Sequence, residues 1–338
     1  MIDPGYEHFD RERAVLAPVD ATLALAPCGG DPVRIAAAAA DADAVLVREA
    51  PIPAQVIDAM RRCRVIVRYG VGVDNIDLDR ARARHIYVSN VPDYGADEVS
   101  EHALALIMAV ARRVVTRDRD VRRGAWGVGQ REKMFRVRGR VLGLVGCGRI
   151  ARALHRKMQG LGIARTLGFD PYIDAVHLAE DGVEAAPLAR VLAEADLVSL
   201  HAPLTPDTRH IIDQAGLARM KPTAILINTA RGGLVDQAAL AEALGQGRLF
   251  GAGLDVFDTE PPGRGEPLLG LDQVVVSDHT GWYSEESVAE LQTKAAEEVA
   301  RVLAGQPPQS WLNRWDDDAP AHGAELAPAS PSSVSPTH

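Results

Sequence analysis

Three residues with useful chemistry follow predicted strands in the second half of the sequence, namely Arg231, Glu260 and His279. An arginine can bind a carboxylate through two hydrogen bonds. A histidine can move a proton near neutral pH, and a neighbouring carboxylate can orient the ring and favour its charged form. Each residue alone has an ordinary explanation, as an ion-pair partner, a turn residue or a loop histidine. Together they predict a site that binds a small carboxylate and performs acid–base chemistry.

A glycine-rich motif precedes these residues, between a predicted strand at Val141 to Val145 and a helical pattern. Gly146 permits the tight turn, Gly148 lets the backbone approach a pyrophosphate, and Ala151 allows close packing of helix on strand. The helix N-terminus then presents free N–H groups and a positive dipole end to the phosphates. This context predicts a dinucleotide site rather than a plain turn.

An acidic residue, Asp170, stands at the end of the next predicted strand. A carboxylate at this point can accept hydrogen bonds from the ribose hydroxyls of NAD and repels the 2′-phosphate of NADP. No arginine follows closely to receive such a phosphate. We therefore expect NAD as the cofactor.

The elements that must position these residues are short apolar runs that alternate with helical patterns, which predicts an α/β fold with parallel sheets. The strands predicted in the first part are Thr22 to Leu25, Ala44 to Val47, Val65 to Arg68 and Ile86 to Val88. A second series comprises Val141 to Val145, Thr166 to Phe169, Leu197 to Leu200, Ala224 to Ile227, Gly251 to Val256 and Val274 to Ser277. Predicted helices include Pro53 to Arg61, Asp77 to Arg84, one long helix from Glu98 to Arg123, and a closing helix from Ser284 to Leu303.

The composition narrows the class of protein. The 338 residues include 37 Lys plus Arg against 46 Asp plus Glu, a formal net charge of -9 that argues against nucleic-acid binding. Three cysteines without CxxC spacing argue against a disulfide framework and a structural zinc site, so we expect no metal. No apolar signal core is present, and no run approaches ~18 apolar residues. We expect a cytoplasmic protein without a membrane partner.

From about Val65 to Leu303, the sequence resembles the D-isomer-specific 2-hydroxyacid dehydrogenase family. The segments that carry the resemblance are Arg68 to Asp77, His201 to Thr205, Asn228 to Asp236, Asp255 to Pro262 and His279 to Ser284. The resemblance implies that Arg231, Glu260 and His279 form the catalytic set. It also implies that Val71 and Gly72 offer backbone N–H groups to the substrate carboxylate.

The resemblance further implies a set of cofactor contacts, in which Asp255 holds the nicotinamide amide. The positions at which the family contacts NAD are Gly146, Gly148, Arg149, Ile150, Asp170, Ala202, Thr208, Thr229, Asp255 and His279. Trp282 has two interpretations. It either walls the substrate pocket or serves as a core aromatic residue.

Within the family, the segment from His279 to Glu285 is most similar to the C-terminal binding protein branch, whose eukaryotic members are corepressors that sense NAD(H). We expect a flavodoxin-like substrate domain at 1–111 and 285–315, with a Rossmann-type NAD domain at 112–284 inserted in it. We expect the tail at 316–338 to be disordered. Met1 to Tyr6 is similar to the end of the family's first strand, so we expect the natural chain to begin upstream of Met1.

The leading hypothesis is a homodimeric NAD-dependent oxidoreductase that interconverts a small D-2-hydroxy acid and its 2-keto acid. Arg231 binds the carboxylate and polarises the carbonyl, while His279 and Glu260 move the proton. Two alternatives stay open. One is an NAD(H)-responsive binding protein of the corepressor type with little turnover, and the other is the same hydride chemistry on another small anion such as phosphite.

Overall fold

Two parallel sheets organise the computed structural model, which describes residues 1–127 and 132–315. The smaller sheet contains β1 (Ala44–Val47), β2 (Val65–Arg68) and β3 (Tyr87–Ser89). The larger sheet contains β4 (Val141–Val145), β5 (Arg165–Phe169), β6 (Glu184–Ala185), β7 (Leu197–Leu200), β8 (Ile225–Asn228), β9 (Gly251–Leu254) and β10 (Val274–Val276). The predicted α/β class with two parallel sheets is confirmed. The tail predicted at 316–338 lies outside the described residues.

Helices connect and cover these strands. Those of the first part of the chain are α1 (Asp10–Leu16), α2 (Pro32–Ala39), α3 (Ala54–Ala59), α4 (Leu78–Ala83), α5 (Ala96–Ala111) and α6 (Val114–Arg122). The later helices are α7 (Arg149–Gly160), α8 (Ala175–Glu180), α9 (Leu188–Glu194), α10 (Gln214–Arg219), α11 (Gln237–Gly245) and α12 (Glu285–Leu303). Among the helices of the described residues, none is both long and apolar enough to cross a membrane.

The strand order of the larger sheet determines where a ligand can bind. The strands run β10-β9-β8-β7-β4-β5-β6, so the connection reverses direction between β4 and β7. Loops that leave the carboxyl ends of two such strands diverge and open a crevice between them. The glycine-rich motif follows β4, which places it at this crevice as the sequence predicts.

The core shows how the chain moves between the two sheets. Leu291 and Ala295 of α12 pack with Val67 in the core of the smaller sheet. Leu106 of α5 packs with Leu144 in the core of the larger sheet. The chain therefore enters the larger sheet through α5 and returns to the smaller one through α12. The domain boundaries at 111/112 and 284/285 stay predictions.

The single helix predicted from Glu98 to Arg123 is wrong, because the chain forms α5 and α6 with a break between them. Arg113 at the break adopts a left-handed backbone conformation with φ 51°. Its Nε atom donates to the Lys133 carbonyl at 3.1 Å, and its guanidinium carbon lies 4.8 Å from the Phe250 ring centre. These contacts with distant segments outweigh the local helical preference.

The strand predicted at Thr22 to Leu25 is also wrong. The first residues of the chain run beside this segment and hydrogen-bond to Ala24 and Ala26, but they form only one isolated parallel bridge, between Ile2 and Ala26. Ile2 also bridges to Val47 on its other side. A single bridge is not a strand ladder, so the short apolar run was a misleading signal here. The two-residue strand β6 is too short for a pattern to predict.

Candidate active site

The predicted acid–base pair is formed, since His279 Nδ1 and Glu260 Oε2 lie 2.6 Å apart. The Phe257 N–H donates to the other oxygen of Glu260 at 3.0 Å and fixes the carboxylate. The bond to Glu260 raises the pKa of His279, although burial of the ring opposes this shift. Burial alone would raise the pKa of Glu260, but the bonds from His279 and Phe257 hold it below its ordinary value. The pair therefore favours an imidazolium beside a carboxylate.

Asp255 holds the loop that carries His279. Its carbonyl accepts from the His279 N–H at 2.8 Å, which supports the left-handed backbone of His279 at φ 58°. Its carboxylate accepts from Thr280 N at 3.1 Å and from Gly281 N at 2.9 Å. The Ser277 hydroxyl donates to the same carboxylate at 2.6 Å. The position of His279 thus depends on a buried anion at the end of β9.

His102 joins this network from α5, with its Nε2 atom 2.7 Å from the Ser277 hydroxyl. Burial alone would raise the pKa of Asp255, but hydrogen bonds from His102 and Ser277 lower it to about 2. Asp255 is consequently ionised across the working pH range, and both its oxygens are engaged by the protein. The nicotinamide contact implied for Asp255 stays a prediction.

Arg231 lies at the start of a short 3-10 turn after β8 and reaches toward the smaller sheet. Its Nε atom donates to Asp74 Oδ1 at 3.1 Å, and Nη1 donates to the Ala230 carbonyl at 2.7 Å. A Cβ atom on Gly72 would overlap Nη2 of Arg231, so only glycine permits this close approach. The loop after β2 and the loop after β8 therefore meet at the guanidinium.

A cavity of about 750 Å³ unites most of the predicted site. The substrate residues that line it are Val71, Gly72, Arg231, His279 and Trp282. The predicted cofactor residues on its wall include Ile150, Ala202, Thr229 and Asp255. Glu260 opens instead on an adjoining cavity of about 240 Å³, which shares Arg231 and His279 with the first. The structure thus brings the substrate residues and part of the cofactor set to one space, whereas Gly146, Gly148, Arg149, Asp170 and Thr208 are not on the wall of this cavity.

The far wall of the larger cavity is aromatic and cationic. The Arg48 guanidinium carbon lies 5.2 Å from the Trp282 ring centre and 5.8 Å from that of Tyr6. Trp282 Nε1 donates to the His279 carbonyl at 3.0 Å, so this side chain also braces the histidine loop. Trp282 lines this cavity and also packs against the core of the smaller sheet, so both interpretations stay open.

The glycine motif has the geometry that a dinucleotide requires. Gly146 has φ 84°, and a Cβ atom there would lie 2.6 Å from Ala202 N. A Cβ atom on Gly148 would meet no protein atom within 4 Å, which leaves open space beside the N-terminus of α7. Asp170 accepts from Cys147 N at 2.9 Å and from Tyr172 N at 2.9 Å, which fixes its carboxylate beside the glycine turn. Arg149 is exposed at the first position of α7.

Buried polar atoms beside this motif also fit a polar ligand. Thr229 Oγ1, His201 Nε2 and Ser199 Oγ are buried without a hydrogen-bond partner in the described part of the chain. Burial lowers the pKa of His201 to about 4, so its ring is neutral. Such atoms normally have partners, and those of Thr229 and His201, which line the larger cavity, fit a polar ligand there. The Thr208 hydroxyl, by contrast, donates to the Pro203 carbonyl at 2.7 Å and shapes its own loop.

The sequence prediction missed charged residues that follow the strands of the smaller sheet. Arg68 ends β2 and donates to both oxygens of Glu49, at 3.1 and 3.3 Å. Glu49, Arg48 and Asp74 line the same cavity. The rule that ligands bind beyond carboxyl ends applies to β1 and β2 as well as to the larger sheet. Applied there, it would have identified these residues.

Comparisons with known proteins agree with this geometry. The family model described as D-isomer specific 2-hydroxyacid dehydrogenase, NAD binding domain, matches residues 104–281. A glyoxylate reductase of Korarchaeum cryptofilum is 44% identical over 267 residues, which cover 78% of this chain and 80% of that relative.

The chain belongs to the D-isomer specific 2-hydroxyacid dehydrogenase family.

Two further relatives show the range of this family. A D-3-phosphoglycerate dehydrogenase of Mycobacterium bovis is 40% identical over 282 residues, 82% of this chain and 52% of that relative. The chain thus spans about half the length of that dehydrogenase. The structure of a D-lactate dehydrogenase from Aquifex aeolicus, complexed with NAD and lactic acid, has 26% identity and a TM-score of 0.81. The match covers 90% of this chain and 95% of that one.

The predicted enzyme class and its NAD cofactor are confirmed for this dehydrogenase. The C-terminal binding protein branch, the homodimer and the cytoplasmic location stay predictions. The assigned roles of the site residues also stay predictions, and they are taken up as proposals below.

The two glycines of the motif predict different effects of one added methyl group. Gly148→Ala should leave the free energy of unfolding nearly unchanged, because its Cβ meets no protein atom. It should raise the Kd for NADH roughly tenfold or more, since the methyl group would occupy the space of the phosphates. Gly146→Ala should raise the Kd as well, and in addition it should lower the free energy of unfolding by about 1–3 kcal/mol.

NADH fluorescence titration and urea unfolding would measure both quantities. Gly160→Ala is the matched control, because its Cβ at the far end of α7 also meets nothing. Unchanged NADH affinity in Gly148→Ala would mean that the dinucleotide lies elsewhere.

Proposed function

We propose that this dehydrogenase interconverts a small D-2-hydroxy acid and its 2-keto acid, with NAD as the hydride carrier. The observation that carries the proposal is the 2.6 Å bond between His279 and Glu260, on a cavity that Arg231 also lines. The complete set of three residues argues for turnover, and against a binding protein with little activity. Relatives named glyoxylate reductase and D-lactate dehydrogenase support small 2-keto acids as the substrate class.

In the reducing direction, the keto acid is held by the loops that meet in the cleft. The backbone N–H groups of Val71 and Gly72, together with Arg231, bind its carboxylate. Arg231 also polarises the ketone, because a fixed positive charge stabilises the developing oxyanion. NADH, which Gly146, Gly148 and Asp170 would hold, would supply a hydride with its electron pair for C2 of the keto acid.

His279 supplies the proton that completes the reduction. Its Nδ1 atom is engaged by Glu260 at 2.6 Å, so Nε2 is the nitrogen that donates to the developing alkoxide. The proton moves to the substrate oxygen, which becomes a hydroxyl, and His279 becomes neutral. Oxidation runs through the same residues in reverse, with neutral His279 accepting the hydroxyl proton. Glu260 keeps the ring oriented and favours its charged form throughout.

Asp170 should determine the choice between NADH and NADPH. We expect a much higher kcat/KM with NADH, because the carboxylate accepts from ribose hydroxyls and repels a 2′-phosphate. Asp170→Ala should narrow the difference between the two cofactors. Steady-state rates with glyoxylate would measure this, and Glu180→Ala, an exposed carboxylate at the end of α8, is the control. Equal use of both cofactors by the parent protein would contradict the assignment.

The histidine–glutamate pair predicts opposite pH profiles in the two directions. The bond to Glu260 raises the pKa of His279, so glyoxylate reduction should fall as pH rises through that raised value. Glycolate oxidation needs neutral His279 and should rise over the same range. Glu260→Gln should shift both limbs to lower pH, since the charge that favours the imidazolium is lost. His279→Ala should lower kcat by roughly 10²- to 10⁴-fold.

Rates measured against pH in both directions would test this mechanism. His177 offers a matched control, because its Nδ1 lies 2.8 Å from Asp174 Oδ2 in an exposed pair on α8. His177→Ala should leave both profiles unchanged. A near-normal kcat with an unaltered profile in His279→Ala would show that another group moves the proton.

A further inference from the structure

Asp74 and Arg231 form an ion pair across the cleft, with Oδ1 and Nε 3.1 Å apart. We propose that Asp74 is a positioning residue that sets the orientation of the Arg231 guanidinium for hydride transfer; the inference rests on the function proposed above. Asp74 follows β2 of the smaller sheet, whereas Arg231 follows β8 of the larger one. The pair therefore joins the two halves of the site at the reacting centre.

Two hydrogen bonds fix the plane of the guanidinium. Nε donates to Asp74, and Nη1 donates to the Ala230 carbonyl at 2.7 Å. The remaining nitrogen, Nη2, lies against Gly72, one of the two residues whose backbone N–H groups are proposed to bind the substrate carboxylate. Because Asp74 occupies the Nε side, Nη2 is the guanidinium nitrogen that stays beside Gly72.

Of the two carboxylates on this side of the cleft, Glu49 pairs with Arg68 and Asp74 pairs with Arg231. Arg68 donates to both oxygens of Glu49, at 3.1 and 3.3 Å, and so neutralises that carboxylate. Burial would raise the pKa of Asp74, but the charges of Arg231 and Arg68 hold it below its ordinary value. Asp74 is therefore an anion at neutral pH.

Because Asp74 is exposed, a substitution there should change the orientation of Arg231 without much change in the stability of the fold. Its side chain is 54% exposed, against 23% for Arg231. An ion pair so open to water contributes little to the free energy of unfolding, because solvent screens it. Its main effect is geometric, since Arg231 without it can rotate about its side-chain torsions.

Asp74→Asn should therefore lower kcat for glyoxylate reduction by roughly 10- to 100-fold, the usual result of misplacing a group at the reacting centre. The KM for glyoxylate should change much less, because the substitution also removes a negative charge that repels the substrate carboxylate. The free energy of unfolding should stay close to that of the parent protein.

The matched control is Asp93→Asn, since Asp93 is 51% exposed and pairs with Lys294 at 3.2 Å. It should leave kcat and KM unchanged. The decisive comparison places Asp74→Asn in an Arg231→Ala background. If Asp74 acts through Arg231, the double variant should have the kcat of Arg231→Ala alone.

A normal kcat in Asp74→Asn would overturn the inference, and so would a further loss in the Arg231→Ala background. Either result would leave the proposed function intact, provided that Arg231→Ala itself is impaired. If Arg231→Ala retains near-normal kcat/KM, the proposed function fails, and the role of Asp74 fails with it.

Discussion

The site depends on one constraint of parallel sheets, which is that the carboxyl ends of all strands lie on the same edge. The loops after β4, β8, β9 and β10 therefore leave the larger sheet on one side, and the loop after β2 faces them. This edge gathers the glycine motif, Arg231, Asp255 and His279 although they are far apart in the chain. The loops that leave this edge line the cavity in which the chemistry is proposed to take place.

Within that cleft, fixed anions orient the cationic groups. Asp255 holds the backbone of the histidine loop, Glu260 holds the imidazole, and Asp74 holds the guanidinium. In the proposed mechanism, the pairs of Glu260 and Asp74 each leave one nitrogen of the cation for the substrate. Orientation is in place before the substrate binds, so little reorganisation is needed during the reaction.

The sequence predicted the parts of the fold that rest on local pattern. The glycine turn after β4 and the capped start of α12 at Ser284 depend on neighbouring residues, and both are formed. Arg231, Glu260 and His279 were predicted from the rule that ligands bind beyond the carboxyl ends of parallel strands. That rule needs only the position at which each strand ends. The break at Arg113 depends on contacts with Lys133 and Phe250, which no local pattern contains.

The supporting residues were harder to predict for the same reason. His102 reaches Ser277 over 175 residues, and Asp74 reaches Arg231 over 157. Asp74 stands in a segment that resembles the family, but nothing in that segment alone names its partner. Only the fold, which brings the two sheets together, reveals such pairs.

The central claim is that hydride passes between the nicotinamide and C2 of a 2-keto acid in this cleft. The most direct test supplies NADH deuterated at C4, in each of its two stereoisomers, with glyoxylate, pyruvate, hydroxypyruvate, phenylpyruvate or phosphohydroxypyruvate. Mass spectrometry of the products would locate the label. The account predicts that one stereoisomer of the deuterated NADH places deuterium on C2 of a 2-hydroxy acid. The other stereoisomer should transfer no deuterium to the product. Tight binding of NADH without label transfer to any of these acids would contradict it.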